Sequence, residues 1–368
     1  MNIELRQPVR ERTRCAKPAV IDCDIHPKAS YEALRPHLSH RWWDYLNTYG
    51  LRARHGFARG YPYPKGTPQA ARRDSWPPGG GLPGSDLDFM RAQHLDPYGI
   101  EIGVMNPLAP SGQSEQNPEL SAALASAVND WQIEAMTARE PRLKASIVVP
   151  YEDGEAARAE IHRRGDNRDY VQVLLLSRTS EALGRRRYWP IYQAAVEHDL
   201  PIGIHVFGYS GWAMTNTGWP SFYLEETAEN ATSSQALVTS FIMEGVFERY
   251  PTLKVVLIET GFAWLPALGW RLDKIWDRLK DEVPHVKKKP SELIREHFWV
   301  CTQPMEEPEE PDHLMAVMEW IGWDRIVFAS DYPHWDFDDP FLALPPSLDE
   351  NQRFRIYSGN ARGLYRFE

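Results

Sequence analysis

Four places in the chain end an apolar run on a side chain that binds a cation or carries a proton. The first is Asp22-Cys23-Asp24-Ile25-His26-Pro27. On a strand, side chains two apart share a side. Asp24 and His26 then reach the same space, while Cys23 points away from Asp22 and Asp24 and packs. A carboxylate beside an imidazole suits a divalent ion such as Zn²⁺ or Mn²⁺, although an Asp-x-His pair alone is a weak signal. The second place is Pro201-Ile202-Gly203-Ile204-His205, and the third runs from Leu253 to Glu259 before Thr260-Gly261. The fourth runs from Arg325 through Ser330-Asp331-Tyr332-Pro333-His334. Read singly, His205 fits a hydrogen-bonded structural role, Asp331 fits a turn cap as well as a ligand or base, and Glu259 fits a helix cap as well as a pocket role.

Read together, the four places need a fold that gathers them. Eight β-like runs are legible: Ala19–His26, Ile102–Pro107, Leu143–Val149, Val171–Leu176, Ile202–Val206, Leu253–Glu259, Phe298–Gln303 and Arg325–Asp331. Helical spacing lies between several of them, at Leu120–Glu140, Gly154–Arg164, Tyr188–His198 and Ala231–Tyr250. Alternating β and α units with near-continuous apolar strands predict a parallel α/β sheet. No Gly-rich dinucleotide fingerprint follows a strand, so a single (β/α)8 TIM barrel is expected rather than an open doubly wound sheet. Strand C-terminal ends converge in a barrel. Asp24, His26, His205 and Asp331 at the ends of strands 1, 5 and 8 are therefore expected to ligate one metal ion. Glu259, at the end of strand 6, is expected in the pocket as a ligand, an orienter of His205 or a proton carrier.

Two segments break the β/α rhythm. One spans about 50–88 and contains Pro77-Pro78-Gly79-Gly80-Gly81; the other spans 207–226 and contains Trp212, Trp219, Phe222 and Tyr223. They follow strands 1 and 5 and so read as lid-like insertions over the barrel mouth. With Trp335 they supply aromatic walls for a substrate. Residues 1–18 read as an N-terminal arm, and 19–368 as one barrel domain.

Composition narrows the partners. The chain has 368 residues, 42% of them hydrophobic, and a net charge of −10. It has no basic block for nucleic acid and no apolar stretch of membrane-span length. Its Arg-rich start lacks an apolar signal region, and the odd set Cys15, Cys23 and Cys301 makes no disulfide framework. These features point to a cytoplasmic protein acting on a small molecule.

The motifs resemble the amidohydrolase superfamily, and within it the amidohydrolase-2 branch of aminocarboxymuconate-semialdehyde and resorcylate-type decarboxylases. The resemblance runs from Asp22 to Phe367. It rests on the Asp-x-His opening, His205, Ser330–His334 and the closing Gly359-Asn360-Ala361-Arg362. It implies a barrel with one divalent metal and a homodimer; the mixed carboxylate–imidazole set accepts zinc, the expected ion, and manganese. His26, His205 and Asp331 match its ligand pattern, His334 matches a frequent family histidine, and Asp24 stands where relatives carry His or Glu. Strand 4 ends without a lysine, so the carbamylated lysine that bridges two metals in other branches is not expected. Glu259 departs from the pattern, because the decarboxylases place a histidine there. A glutamate, with a reference pKa near ~4.3, needs burial or a like-charged neighbour to hold a proton at neutral pH.

The leading expectation is hydrolysis of an ester, thioester or amide carrying a bulky apolar or aromatic acyl group. Metal-activated water would attack, Asp331 would serve as base, and Glu259 or His334 would assist. The alternative is non-oxidative decarboxylation of an aromatic or unsaturated acid, with Asp331 protonating carbon and an arginine such as Arg52, Arg54 or Arg59 meeting the carboxylate. A third reading is a catalytically inactive binding barrel.

Overall fold

A computed structural model of the chain describes residues 19–50, 68–113, 115–206, 218 and 220–367. The apolar runs form β1 (Val20–Ile25), β2 (Ile100–Met105), β3 (Leu143–Val148), β4 (Tyr170–Leu176), β5 (Ile202–His205), β6 (Val255–Ile258), β7 (Phe298–Cys301) and β8 (Ile326–Val327). Neighbours pair in parallel and in chain order. β8 returns to β1: the Cys23 N–H donates to the Phe328 carbonyl at 2.9 Å, the His26 N–H donates to the Tyr332 carbonyl at 2.8 Å, and Ile25 bridges Tyr332. The result is the expected (β/α)8 barrel.

The helices start where local chemistry lets them. Asn117 Oδ1 accepts from the N–H groups of Glu119 and Leu120, Pro118 occupies the first position, and the helix runs Pro118–Trp131. Asp153 caps Gly154–Arg164 in the same way. The helix expected at Ala231–Tyr250 instead spans Tyr223–Met243. Glu225 reaches back to accept from the N–H groups of Ser221 and Phe222, which fixes the earlier start. Gly245, at φ 78°, separates off a short helix Val246–Arg249. The last residues of the 207–226 segment are therefore the first turn of a barrel helix rather than insertion.

Apolar side chains fill two shells. Ile25, Ile147, Leu175, Ile204, Leu257, Phe298 and Ile326 pack with the surrounding helices. Ile21, Cys23, Val104, Val256, Ile258, Cys301 and Val327 form a second cluster with Ala361, Leu364 and Tyr365 of the C-terminal helix Asn360–Tyr365. Cys23 is thus a packing residue, as expected. The expected orientation of Asp22 is corrected. The β1–β2 register shifts between Asp22 and Ile25, so strict alternation fails there and Asp22 and Asp24 face different partners.

Asp22 is fully buried and holds two strand ends together. Its Oδ2 lies 2.8 Å from His94 Nε2 and accepts from Ser330 Oγ; its Oδ1 accepts from the N–H groups of Ser330 and Asp24 at 2.9 and 3.2 Å. His94 stacks on Tyr332 at 4.5 Å and 8°.

Part of the first long segment lies against the same rim. Ala71 bridges His334, the Arg72 N–H donates to the Pro333 carbonyl, and the Trp335 N–H donates to the Ala70 carbonyl. Gly84, at φ 78°, comes so close that a Cβ there would sit 2.2 Å from the His26 carbonyl oxygen. The arm 1–18 with Cys15, the stretch 51–67 with Arg52, Arg54 and Arg59, and the stretch 207–217 with Trp212 lie outside the described residues, as does Trp219.

Asp22→Ala leaves the buried His94 and Ser330 donors without their acceptor. We expect it to lower the free energy of unfolding by about 3–5 kcal/mol, the usual cost of removing one partner of a buried pair, as read by chemical denaturation.

Candidate metal centre

The barrel brings Asp24, His26, His205, Glu259 and Asp331 together. Each offers one ligand atom, these atoms lie within 4.8 Å of one another, and all five residues are buried. Asp24 lies in β1 and His26 just after it; His205 ends β5; Glu259 follows β6; Asp331 lies past β8. The two acids leave the strands in the left-handed region, Glu259 at φ 57° and Asp331 at φ 61°. Such backbone costs about 1–3 kcal/mol per residue and concentrates at functional sites. The turn at Glu259 also ends β6 one residue earlier than the sequence suggested; β8 ends at Val327, well before Asp331.

Hydrogen bonds select the imidazole tautomers. His26 Nδ1 is 2.8 Å from the Asn106 carbonyl oxygen, and His205 Nδ1 is 2.6 Å from that of Val206. A carbonyl only accepts, so each Nδ1 carries a proton and each Nε2 faces inward, where its lone pair is the one free to meet an ion. Without an ion, burial lowers His26, but Asp24 and Asp331 outweigh it and raise His26 well above the ordinary imidazole range. His26 Nε2 lies 2.8 Å from Asp331 Oδ1, and His205 Nε2 lies 2.9 Å from Glu259 Oε2 and 3.7 Å from Asp24 Oδ2. The buried atoms Asp24 Oδ2, His26 Nε2 and Glu259 Oε2 make no hydrogen bond. Buried polar atoms without partners are costly and rare, and here they converge. One divalent cation satisfies them all, and a mixed carboxylate–imidazole set is suited to it. The residues fit a single divalent ion.

Crowded carboxylates in a dry site retain protons. Burial, reinforced by Asp331, Asp336 and Asp24, raises Glu259 well above the ordinary carboxylate range. Burial also raises Asp331 to about 6, against the pull of His26. Burial and Asp331 together lift Asp336 to about 7. Burial raises Asp24 too, but the adjacent His26 and His205 outweigh it and bring Asp24 to about 2. Burial holds His205 and His334 near 3. Glu259 therefore meets both conditions for holding a proton at neutral pH, burial and like-charged neighbours.

His334 joins the centre from outside the ligand set. Its Nδ1 is 2.6 Å from Asp331 Oδ1, and its ring stacks on His26 at 4.4 Å. Of the expected aromatic wall, Tyr223 and Trp335 meet, with Trp335 Nε1 donating to the Tyr223 hydroxyl at 3.0 Å. Phe222 is 70% exposed at its helix start. Sequence reading missed Asn106, which donates to Asp24 Oδ1 at 2.8 Å, and Gln303, which donates to Asp336 Oδ2 at 3.1 Å. It also missed Asp336 itself. Asn106 carried the same signal as the ligands, a polar residue ending an apolar run, but an amide is neither a ligand nor a titrating group.

Comparison with known proteins places these residues in context. The family model described as Amidohydrolase matches residues 21–367. Gamma-resorcylate decarboxylase of Polaromonas sp. (strain JS666) is 26% identical over 303 residues, which cover 76% of this chain and 88% of that protein. The dihydroxybenzoic acid decarboxylase structure from Polaromonas sp. JS666, with bound manganese and 2-nitroresorcinol, superposes with a TM-score of 0.65 at 21% identity, covering 95% of this chain and 97% of that one. The 5-carboxyvanillate decarboxylase structure from Sphingomonas paucimobilis gives 0.66 at 19% identity, covering 95% and 99%. These relatives are decarboxylases, which overturns the expectation of a hydrolase.

Two outcomes follow for the centre. His205→Ala should lose the bound divalent ion by elemental analysis of the purified protein. In the wild type, the raised acids hold protons below their pKa values, and an ion must displace those protons. Manganese affinity should therefore fall as pH drops through about 6, the Asp331 value, approaching tenfold per pH unit for each proton displaced. Calorimetry in buffers of different ionisation enthalpy would show protons released on binding.

Proposed function

This chain belongs to the amidohydrolase family, and we propose that its site carries out metal-dependent, non-oxidative decarboxylation of an aromatic carboxylic acid. The substrate class is a hydroxylated benzoate, by analogy with the resorcylate decarboxylase relatives. The observation that carries the reading is the environment of Asp331. It is a fully buried carboxyl, raised to about 6, set among His26, His334 and Asp336. A carboxyl raised toward neutrality beside the still higher Asp336 can take up a proton and deliver it to carbon.

Asp24, His26, His205 and Asp331 would hold the metal, with manganese favoured by the ion in the Polaromonas structure. Held there, a divalent ion would supply positive charge to offset that of the substrate acid. A proton held on the neighbouring Glu259 or Asp336 would pass through Asp331 to the ring carbon that bears the carboxylate. The bond from that carbon to the carboxylate breaks, its electron pair restores the aromatic ring, and carbon dioxide leaves. Glu259 and Asp336, both raised by burial and by neighbouring acids, lie in the same carboxylate cluster and keep a proton in reserve for Asp331.

The rim supplies the rest. Lys28, two residues past His26, is half-buried, and its Nζ donates to the Gln69 amide oxygen. No carboxylate pairs with it among the described residues, so its charge is available to a substrate acid. Tyr223 and Trp335 offer ring faces to an aromatic substrate.

Carbon dioxide release from 2,6-dihydroxybenzoate, with one deuterium entering the vacated ring position in D2O, is the expected result. Asp331→Asn should lower kcat by about 10²–10⁴-fold, the range for loss of a positioned acid. Hydrolysis of aryl esters without carbon dioxide release from any hydroxybenzoate would refute the reading.

A further inference from the structure

From Asp24 Oδ1, which also lies 3.2 Å from His26 Nε2, runs an uninterrupted set of buried hydrogen bonds. Asn106 Nδ2 donates to Asp24 Oδ1 at 2.8 Å and to the Cys23 carbonyl at 3.1 Å. Asn106 Oδ1 accepts from Ser146 Oγ at 2.9 Å and from Gln172 Nε2 at 2.8 Å. Gln172 Nε2 also donates to Ser146 Oγ at 3.0 Å, and Gln172 Oε1 accepts from the Tyr365 hydroxyl at 3.0 Å. Asn106, Ser146 and Gln172 are fully buried, and Tyr365 is 5% exposed.

The direction of these bonds is forced from the Asp24 end. A carboxylate and a carbonyl only accept, so the amino group of Asn106 must face Asp24 and Cys23. Its oxygen must then face the donors of Ser146 and Gln172. That turns the Gln172 amino group inward and leaves its oxygen for the Tyr365 hydroxyl. Every donor in the series points toward Asp24. The Asn106 backbone carbonyl meanwhile takes the Nδ1 proton of His26 at 2.8 Å. One residue therefore orients two of the candidate ligands, one through its side chain and one through its main chain.

The barrel also makes room for this arrangement. A Cβ at Gly203 would lie 2.7 Å from Gln172 Oε1 and 2.8 Å from its Cδ. A side chain at that position of β5, two residues before His205, would push the Gln172 amide out of place.

We infer that Asn106 is the positioning residue of the metal centre, and that Gln172 and Tyr365 lock its amide so that Asp24 keeps Oδ1 engaged and presents Oδ2 to the ion. Asp24 Oδ2 is buried and makes no hydrogen bond, as a ligand oxygen held in readiness would be. The C-terminal helix thereby contributes to metal binding through Tyr365 although it supplies no ligand. Groups that orient metal ligands typically change affinity about 10–100-fold when removed.

The test reads metal binding directly and needs no turnover, so it stands whichever reaction the site performs. Full-length Asn106→Leu and Tyr365→Phe are stripped of metal and titrated with Mn²⁺ alone, followed by the electron paramagnetic resonance signal of the free ion. Asn106→Leu should raise the Mn²⁺ dissociation constant about 10–100-fold. Tyr365→Phe should raise it about threefold or more and broaden the spectrum of the bound ion, while the metal-free protein melts close to the wild type. A packing role alone would lower the metal-free melting temperature without moving Mn²⁺ affinity. If both variants bind Mn²⁺ within about twofold of the wild type, the inference fails. If Asn106→Leu does not fold, Tyr365→Phe decides by the same twofold criterion.

Discussion

The centre is organised by a charge that its own residues cannot balance. Asp24, Glu259 and Asp331 offer carboxylate oxygens within 4.8 Å of one another and of two imidazoles, all in a buried space. Without an ion the repulsion is relieved by retained protons, which is why burial and neighbouring acids raise Glu259 and Asp331. With an ion the same crowding becomes attraction. The surrounding structure holds these groups in place. Asp22 clamps the backbone at Asp24 and Ser330, Asn106 holds Asp24 and His26, and left-handed turns aim Glu259 and Asp331 inward.

That holding structure draws on distant parts of the chain. The return of β8 to β1 places Asp331 beside His26, so closing the sheet and assembling the site are one event. The rim strand pairing of Ala71 with His334 ties the first long segment to the histidine that stacks on His26.

Much of this was legible in the sequence, because a barrel obeys a simple rule. Apolar runs mark the strands, and a polar residue that ends a run lies at the mouth. This rule found Asp24, His26, His205, Glu259 and Asp331. It did not find the register shift within β1, which comes from pairing with β2 and leaves no compositional trace; Asp22 was placed with Asp24 for that reason. Asn106, Gln172 and Tyr365 were missed because their importance lies in mutual hydrogen bonds, and no spacing rule joins three residues on separate elements. Asp336 follows His334 by two residues, but only its burial against Asp331 distinguishes it from a solvated aspartate. The reaction was the least legible feature, since hydrolysis and decarboxylation ask for the same ligands and differ in when one carboxyl holds its proton.

The left-handed turn at residue 259 bears on how such a site diversifies. Among residues with a side chain, asparagine, aspartate and histidine enter that region most readily, whereas a glutamate sits there at a cost. The barrel has thus built a socket whose backbone shape is settled by the end of β6, while the group it presents can be exchanged. Glutamate and histidine present different proton affinities from the same point in space. A lineage could move between them by substitution at this one position, altering the acid–base character of the pocket while the ligands, the strands and the closure of the sheet stay as they are.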